Sequence, residues 1–363
     1  MPHSGHPSLE IHPSPHLGSE GISWDWTAPD TLHVHLAPSR GLPAVPNMLQ
    51  LEIRNPARLP LQIHTTFDHP EPKGKFDEYH HSVTPDFQTF RPAHWQLPAN
   101  GTSNILTIPA TPWDTVHLGM QFPLPLAPLS HRLRRPHPHA SLTTLGHSLQ
   151  GRPIELLRIG DPAATPAVRH LVVNQHPGEG NARWRIMGMI DWLLADTPAA
   201  AHARRHTEWH FLPLLCPDGP ANGWRRVNAD GIDMNRCFHM DGANPDTQTP
   251  EAYLLQHLLE TAPPHVLWCM HTWPGPTEPI IDGTHPAFDA QRFAQTLARL
   301  APPDTMKPVR FRPEPGMTTG WNGGPRVKYQ IGTLLVEGGG DPADLDAHLH
   351  AGRLLMQAAA PQF

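Results

Sequence analysis

The run Leu171-Val172-Val173 is apolar and rich in β-branched residues, and it gives way to Asn174-Gln175 in front of a turn. Pro177-Gly178 supplies that turn. A helical pattern follows, with Trp184, Ile186, Met187, Ile190, Leu193 and Leu194 on its apolar positions. His176 and Glu179 therefore lie on a strand-to-helix turn, where open α/β sheets present side chains to a ligand. The same His-x-x-Glu spacing recurs at His257 and Glu260. There it sits inside a leucine-rich stretch that reads as an amphipathic helix with its polar groups outward. The first pair is placed for chemistry and the second for water.

Three further apolar runs repeat the arrangement. A strand over 208–215 is followed by Cys216-Pro217-Asp218-Gly219 and then by Arg226, Asp233, Asn235 and Arg236. A strand over 265–270 delivers His271, and a strand over 331–336 delivers Glu337. A hairpin over 142–159 comes first, and helices over 251–261, 288–300 and 342–360 alternate with the strands. This alternation predicts an α/β domain with a parallel or mixed central sheet flanked by helices. Its strand ends converge on two imidazoles and a carboxylate: His176, His271 and Glu179. Such a set suits a catalytic zinc with one position left open, whereas structural zinc sites are usually closed and often rich in cysteine.

Residues 1–125 have a different texture. Short alternating segments at 31–36, 48–53, 61–65, 104–108 and 116–120 are separated by Pro, Asn and Gly turns, which predicts an all-β sandwich. Histidines alternate with apolar residues in these strands and are assigned to solvent faces. The Pro-rich stretch 122–140 marks the boundary, giving a second domain over 126–363.

Composition narrows the function classes. A net charge of −6 and the absence of a basic stripe argue against a nucleic-acid partner. The one basic cluster, His131-Arg132-Leu133-Arg134-Arg135, is short. Three cysteines with no Cys-x-x-Cys unit give neither a disulfide framework nor a thiolate zinc site. The first residues, Met1-Pro2-His3-Ser4, carry no signal-peptide pattern, and no apolar window is long enough to span a membrane. A soluble cytoplasmic protein is expected.

In chain order, His176-Pro177-Gly178-Glu179, Pro217-Asp218-Gly219, Gly231-Ile232-Asp233-Met234-Asn235-Arg236, His271 and Glu337 resemble the M14 zinc metallocarboxypeptidases. The branch that is most similar is the bacterial one of the cytosolic carboxypeptidases, whose members carry an N-terminal β-sandwich. The resemblance implies one zinc per chain on His176, Glu179 and His271. It implies that Asn235 and Arg236 hold the terminal carboxylate of a peptide or protein and that Arg226 polarises the scissile carbonyl. Glu337 would be the general base, and Asp233 would orient His176. Several members trim C-terminal glutamate or aspartate. In line with this, Lys307, Arg310, Arg312, Arg326 and Lys328 face a single acid, Glu314, in the segment before Glu337. Arg326 and Lys328, nearest the strand, are the expected specificity residues.

Two other readings stay open: a zinc amidohydrolase acting on N-acyl amino acids or cell-wall peptides, and an inactive binding protein working through its sandwich. The intact set His176, Glu179, His271 and Glu337 argues against the second. The chain also departs from the family pattern. Tyr329 is the sole tyrosine near Glu337 on its N-terminal side and is expected at the start of the strand, which leaves Met317 or Trp321 to line the closing loop. Cys216 stands where asparagine is common, and the run Gly338-Gly339-Gly340 would loosen the base.

Overall fold

A computed structural model describes residues 8–67, 79–96, 104–302, 304–314, 316–340 and 344–360. The first residues, 1–7, and the expected helix start at Pro342 lie outside the described residues.

Among the described residues, nine strands between Glu10–His12 and Thr115–Met120 join edge to edge in one N-terminal sheet. Strand Arg91–Gln96 pairs through its first half with His81–Thr84 and through its second half with Asn104–Ile108. The sheet folds there, and its two halves enclose one core. Leu32, Val34 and Ile63 from one half meet Leu51, Val83 and Leu118 from the other. Strand Thr31–Leu36 shows why the sequence was legible: its Leu32, Val34 and Leu36 are fully buried, while the residues between them, His33 and His35 included, are only partly covered.

The second sheet has eight strands in the order Ala140–His147, Pro153–Ile159, Thr207–Leu212, Val168–Val173, Val266–Met270, Gly332–Glu337, Glu278–Gly283 and Arg310–Phe311. The four central strands run parallel and the flanking ones add antiparallel pairs, so the sheet is mixed. Both faces are covered. Val172, Trp268, Leu334 and Val336 pack under helices Gly180–Leu194, Ala290–Leu300 and Leu345–Ala359. Leu171, Val173, Leu267 and Leu335 pack under helix Pro250–Thr261. Burial on both faces explains the unbroken apolar runs.

Between the sheets, helix Leu126–Leu133 puts Leu129 and Leu133 into the second core, together with Phe122 and Leu124. Main-chain bonds then lock the two halves of the molecule. Gly18 N–H donates to Pro220 O at 2.8 Å, Glu20 N–H to Asn222 O at 3.0 Å and Met48 N–H to Gly223 O at 2.8 Å. The N-terminal sheet thus buttresses the loop that leads to Arg226.

Candidate metal centre and active site

Register decides which side chains meet. Val173, Cys269 and Leu335 lie side by side in adjacent parallel strands. His271 and Glu337 stand two positions beyond that row, and His176 stands three beyond it on the turn. His271 N–H donates to Val336 O at 2.8 Å, and the bonding continues past the strand ends with Trp273 N–H to Gly338 O at 3.3 Å. The carboxyl ends of three neighbouring strands therefore open onto one point.

At that point His176 Nδ1 lies 2.8 Å from Glu179 Oε1. His271 Nδ1 lies 2.9 Å from Glu179 Oε2 and 3.1 Å from His176 Nδ1. All three residues are buried, and theirs is the one grouping of metal-ligand type among the described residues. A tetrahedral zinc shell with bonds of about 2.0–2.2 Å places its donors roughly 3.3 Å apart. The triangle needs only slight expansion to match. Its chemistry fits as well. His176 Nε2 faces Asp233 Oδ1 at 3.0 Å, which fixes the proton there and turns the Nδ1 lone pair into the triangle. Burial opposes the charge on Glu179, but the two imidazoles outweigh it and hold the carboxyl well below the usual range. The result is a buried, electron-rich triangle shaped for a divalent cation.

Asp233 joins this triangle to the rest of the site. Its Oδ1 also accepts from Asn235 N–H at 2.8 Å, and its Oδ2 accepts from Arg226 Nε at 3.0 Å. Burial disfavours its charge, yet the bond to His176 and the charge of Arg226 keep its pKa far below normal. For Arg226, burial is likewise outweighed by Asp233 and Glu179, and its pKa rises. Asn235 is buried, with Nδ2 3.2 Å from His271 Nε2 and Oδ1 accepting from Trp321 N–H at 3.2 Å. Arg236 is exposed and donates to Asn235 O at 2.6 Å. The pKa of Glu337 is raised by burial and by Glu179, against the pull of His271, Arg185 and Arg226.

Other sequence-chosen residues lie elsewhere. Arg326 and Lys328 are on helix Gly324–Tyr329, not on a strand approach. Arg326 Nη2 donates to Pro313 O at 2.8 Å and Lys328 Nζ to Met240 O at 2.6 Å. Tyr329 ends that helix rather than starting the strand, and its hydroxyl donates to Glu260 Oε1 at 2.6 Å. Trp321 is buried with Nε1 on Met234 O at 2.8 Å, whereas Met317 is 57% exposed. The thiols of Cys216, Cys237 and Cys269 are buried, and burial raises their pKa values, so none is a ready thiolate.

Sequence reasoning overlooked two features. Arg312 Nη1 pairs at 3.0 Å with the buried Asp282, whose other oxygen accepts from Asn322 Nδ2 at 2.7 Å. Asn322 directly follows Trp321, which is bonded to Asn235, so a basic group is tied to the Asn235 corner. Tyr79, two residues before strand His81–Thr84, lies under the Arg225 guanidinium at 4.3 Å. Neither contact has a local sequence pattern.

The zinc carboxypeptidase family model matches residues 129–255, a stretch that includes His176, Glu179, Arg226, Asp233, Asn235 and Arg236. Cytosolic carboxypeptidase 2 of Homo sapiens is 39% identical over 103 residues, which is 27% of this chain and 11% of that protein. Cytosolic carboxypeptidase 1 of Gallus gallus is 36% identical over 85 residues, 23% of this chain and 7% of that protein. The chain thus spans about a tenth of the length of the curated relatives it matches. Among solved structures, a metallo-carboxypeptidase from Burkholderia cenocepacia aligns with a TM-score of 0.79 at 18% identity, over 98% of each chain. One from Pseudomonas aeruginosa, in complex with (2-guanidinoethylmercapto)succinic acid, aligns with a TM-score of 0.73 at 17% identity, over 97% of this chain and 98% of that one. These structures share the fold across both sheets. Over residues 129–255, which carry His176, Glu179, Arg226, Asp233, Asn235 and Arg236 but end before His271 and Glu337, the chain is similar to the M14 zinc carboxypeptidase family.

Proposed function

We propose that this protein is a zinc metallocarboxypeptidase that removes the C-terminal residue of peptides or proteins. The observation that carries the reading is the shared register of His271 and Glu337, which sets a carboxylate of raised pKa beside the His176–Glu179–His271 triangle. His176, Glu179 and His271 would hold one zinc, with Asp233 orienting His176. When bound, the metal supplies Lewis acidity and activates water at neutral pH. Glu337 accepts the proton of the attacking water and returns it to the leaving amine. Arg226, tethered by Asp233, stabilises the oxyanion developing on the scissile carbonyl. Asn235 and Arg236 receive the terminal carboxylate, Arg236 through a planar fork that matches it.

The finer reading is an acidic terminal side chain. All five cations before Glu337 already have partners, and Arg312 is chosen among them only for its place: its partner Asp282 bonds Asn322, next to the Trp321 that bonds Asn235. Arg326 and Lys328 donate to main-chain carbonyls, and Lys307 and Arg310 pair with Glu278. The test is a matched peptide series ending in Glu, Asp, Leu, Phe or Lys, run with the native protein and Arg312→Ala and Arg326→Ala variants. Preference for Glu or Asp, lost in Arg312→Ala alone, is expected. Preference for Leu or Phe in all three would contradict the acidic pocket, and no cleavage of any peptide would contradict the peptidase.

A further inference from the structure

Arg185 lies inside helix Gly180–Leu194 and is fully buried. A charge interrupting an apolar helix face needs compensation, since an unpaired buried charge is strongly destabilising. Its partners are two main-chain carbonyls. Nη2 donates to His271 O, and Nη1 donates to Gly338 O at 3.0 Å. One belongs to the third candidate metal ligand, and the other to the residue that follows the candidate base. A single rigid fork therefore spans the ends of two neighbouring strands. From the same helix, Asn181 Nδ2 donates to Gly339 O at 2.7 Å.

The glycine run after Glu337 belongs to this arrangement. The sequence reads it as a loose hinge, but the structure packs it tightly. Gly338 and Gly339 have φ of +75° and +68°. A Cβ on Gly339 would lie 2.0 Å from Arg185 Nη1, and one on Gly338 would lie 1.9 Å from Pro276 O. On Gly340 it would lie 2.6 Å from Trp273 O. Gly340 N–H in turn donates to Trp273 O at 2.8 Å, and Gly339 N–H to Gly275 O at 2.7 Å. The residues are glycine because the guanidinium and the 273–276 loop lie against them.

We propose that Arg185 and Gly338–Gly340 form an internal clamp that fixes Glu337 relative to His271, making Arg185 a positioning residue for the hydrolysis. The inference rests on the metallopeptidase reading above. It concerns a group that touches neither substrate nor metal and acts by holding two that do. Lysine cannot replace it, because a compact ammonium on a flexible stem does not reproduce the two-pronged planar fork. Groups that hold metal ligands in place typically contribute 10- to 100-fold in metal affinity or activity.

The experiment compares native protein with Arg185→Lys, Gly339→Ala and the double variant. Zinc affinity is read by chelator competition, kcat and KM on a free-acid peptide, and folding by circular dichroism. Arg185→Lys is expected to fold, to lose zinc affinity and kcat by about tenfold or more, and to keep KM within about twofold. Gly339→Ala presses on the fork from the other side, so its loss of kcat should be smaller in the Arg185→Lys background than in the native one. If Arg185→Lys does not fold, Gly339→Ala alone decides the matter by the same split between kcat and KM. A folded Arg185→Lys with native zinc affinity and kcat, even with a lowered melting temperature, would reduce Arg185 to a core residue and overturn the clamp. Native protein that holds zinc but cleaves no peptide would overturn the function alone, with the zinc affinities still deciding the clamp. Native protein that holds no zinc would overturn both.

Discussion

Glu337 and Asp233 show how single residues set the chemistry. Glu337 is buried enough for its carboxyl pKa to rise, while His271, Arg185 and Arg226 limit that rise. A base of this kind is a better proton acceptor than an exposed glutamate. Glu337→Gln preserves volume and removes the acceptor, so kcat should fall by about 10²–10⁴-fold, with zinc content, read by elemental analysis, unchanged. Native kcat in that variant would move the base elsewhere, with Glu314 next in sequence. His271 and Glu337 were legible because each directly follows an apolar run, and His176 and Glu179 because they lie on the Pro-Gly turn just beyond one. The resemblance added Asp233, and the structure shows why aspartate stands there: one carboxylate serves His176, Arg226 and the Asn235 amide together. Arg185 was hidden because a charge within a helical pattern looks solvated until the fold buries it.

At the scale of elements, the buried parallel strands were read within a few residues because both their faces are covered and their apolar runs are unbroken. Elements that depend on long-range contacts were missed. Helix Pro198–His206 begins with a Thr197 cap and a proline, yet its alanines and basic residues form no clear apolar stripe. Strand Glu278–Gly283 contains Pro279 and Asp282, which weaken a strand pattern. Helix Gly324–Tyr329 is under two turns long and opens with Gly-Pro, so its basic residues were read as a strand approach. The Pro217-Asp218-Gly219 turn, in contrast, has a clear structural cause. Asp218 is buried and accepts from Ser148 Oγ at 2.7 Å, Gln150 N–H at 3.0 Å and Arg152 Nη1 at 2.8 Å. A Cβ on Gly219 would lie 2.1 Å from Pro177 Cβ, on the turn between His176 and Glu179. Gly219→Ala should therefore cost about 1–3 kcal/mol of stability and weaken zinc retention, measurable by thermal melting and chelator challenge. A variant that melts and retains zinc as the native protein does would show that the two turns move independently.

The whole molecule adds what neither half shows alone. No helix among the described residues is long and apolar enough to cross a membrane. The N-terminal sheet, legible as an all-β unit from its alternation, gave no sign that it braces the site, because contacts between distant segments leave no local period. On the segments that flank its strands, the Tyr79 ring lies under Arg225, next to Arg226, and Met48 approaches the position of Gly178. Tyr79→Ala should lower kcat/KM by up to about thirtyfold, the equivalent of the roughly 2 kcal/mol of a desolvated cation–π contact. Tyr79→Phe, which keeps the ring, should lower it far less. Equal losses in both variants would assign the effect to the hydroxyl instead. In the proposed function, four strand ends assemble an exopeptidase site around a terminal carboxylate. The most direct measurement is mass spectrometry of two otherwise identical peptides, one with a free C-terminal carboxylate and one amidated, incubated with the zinc-loaded protein. Stepwise loss of C-terminal residues from the free acid, with the amide untouched, is the predicted result. Equal turnover of the two would contradict it and favour an amidohydrolase.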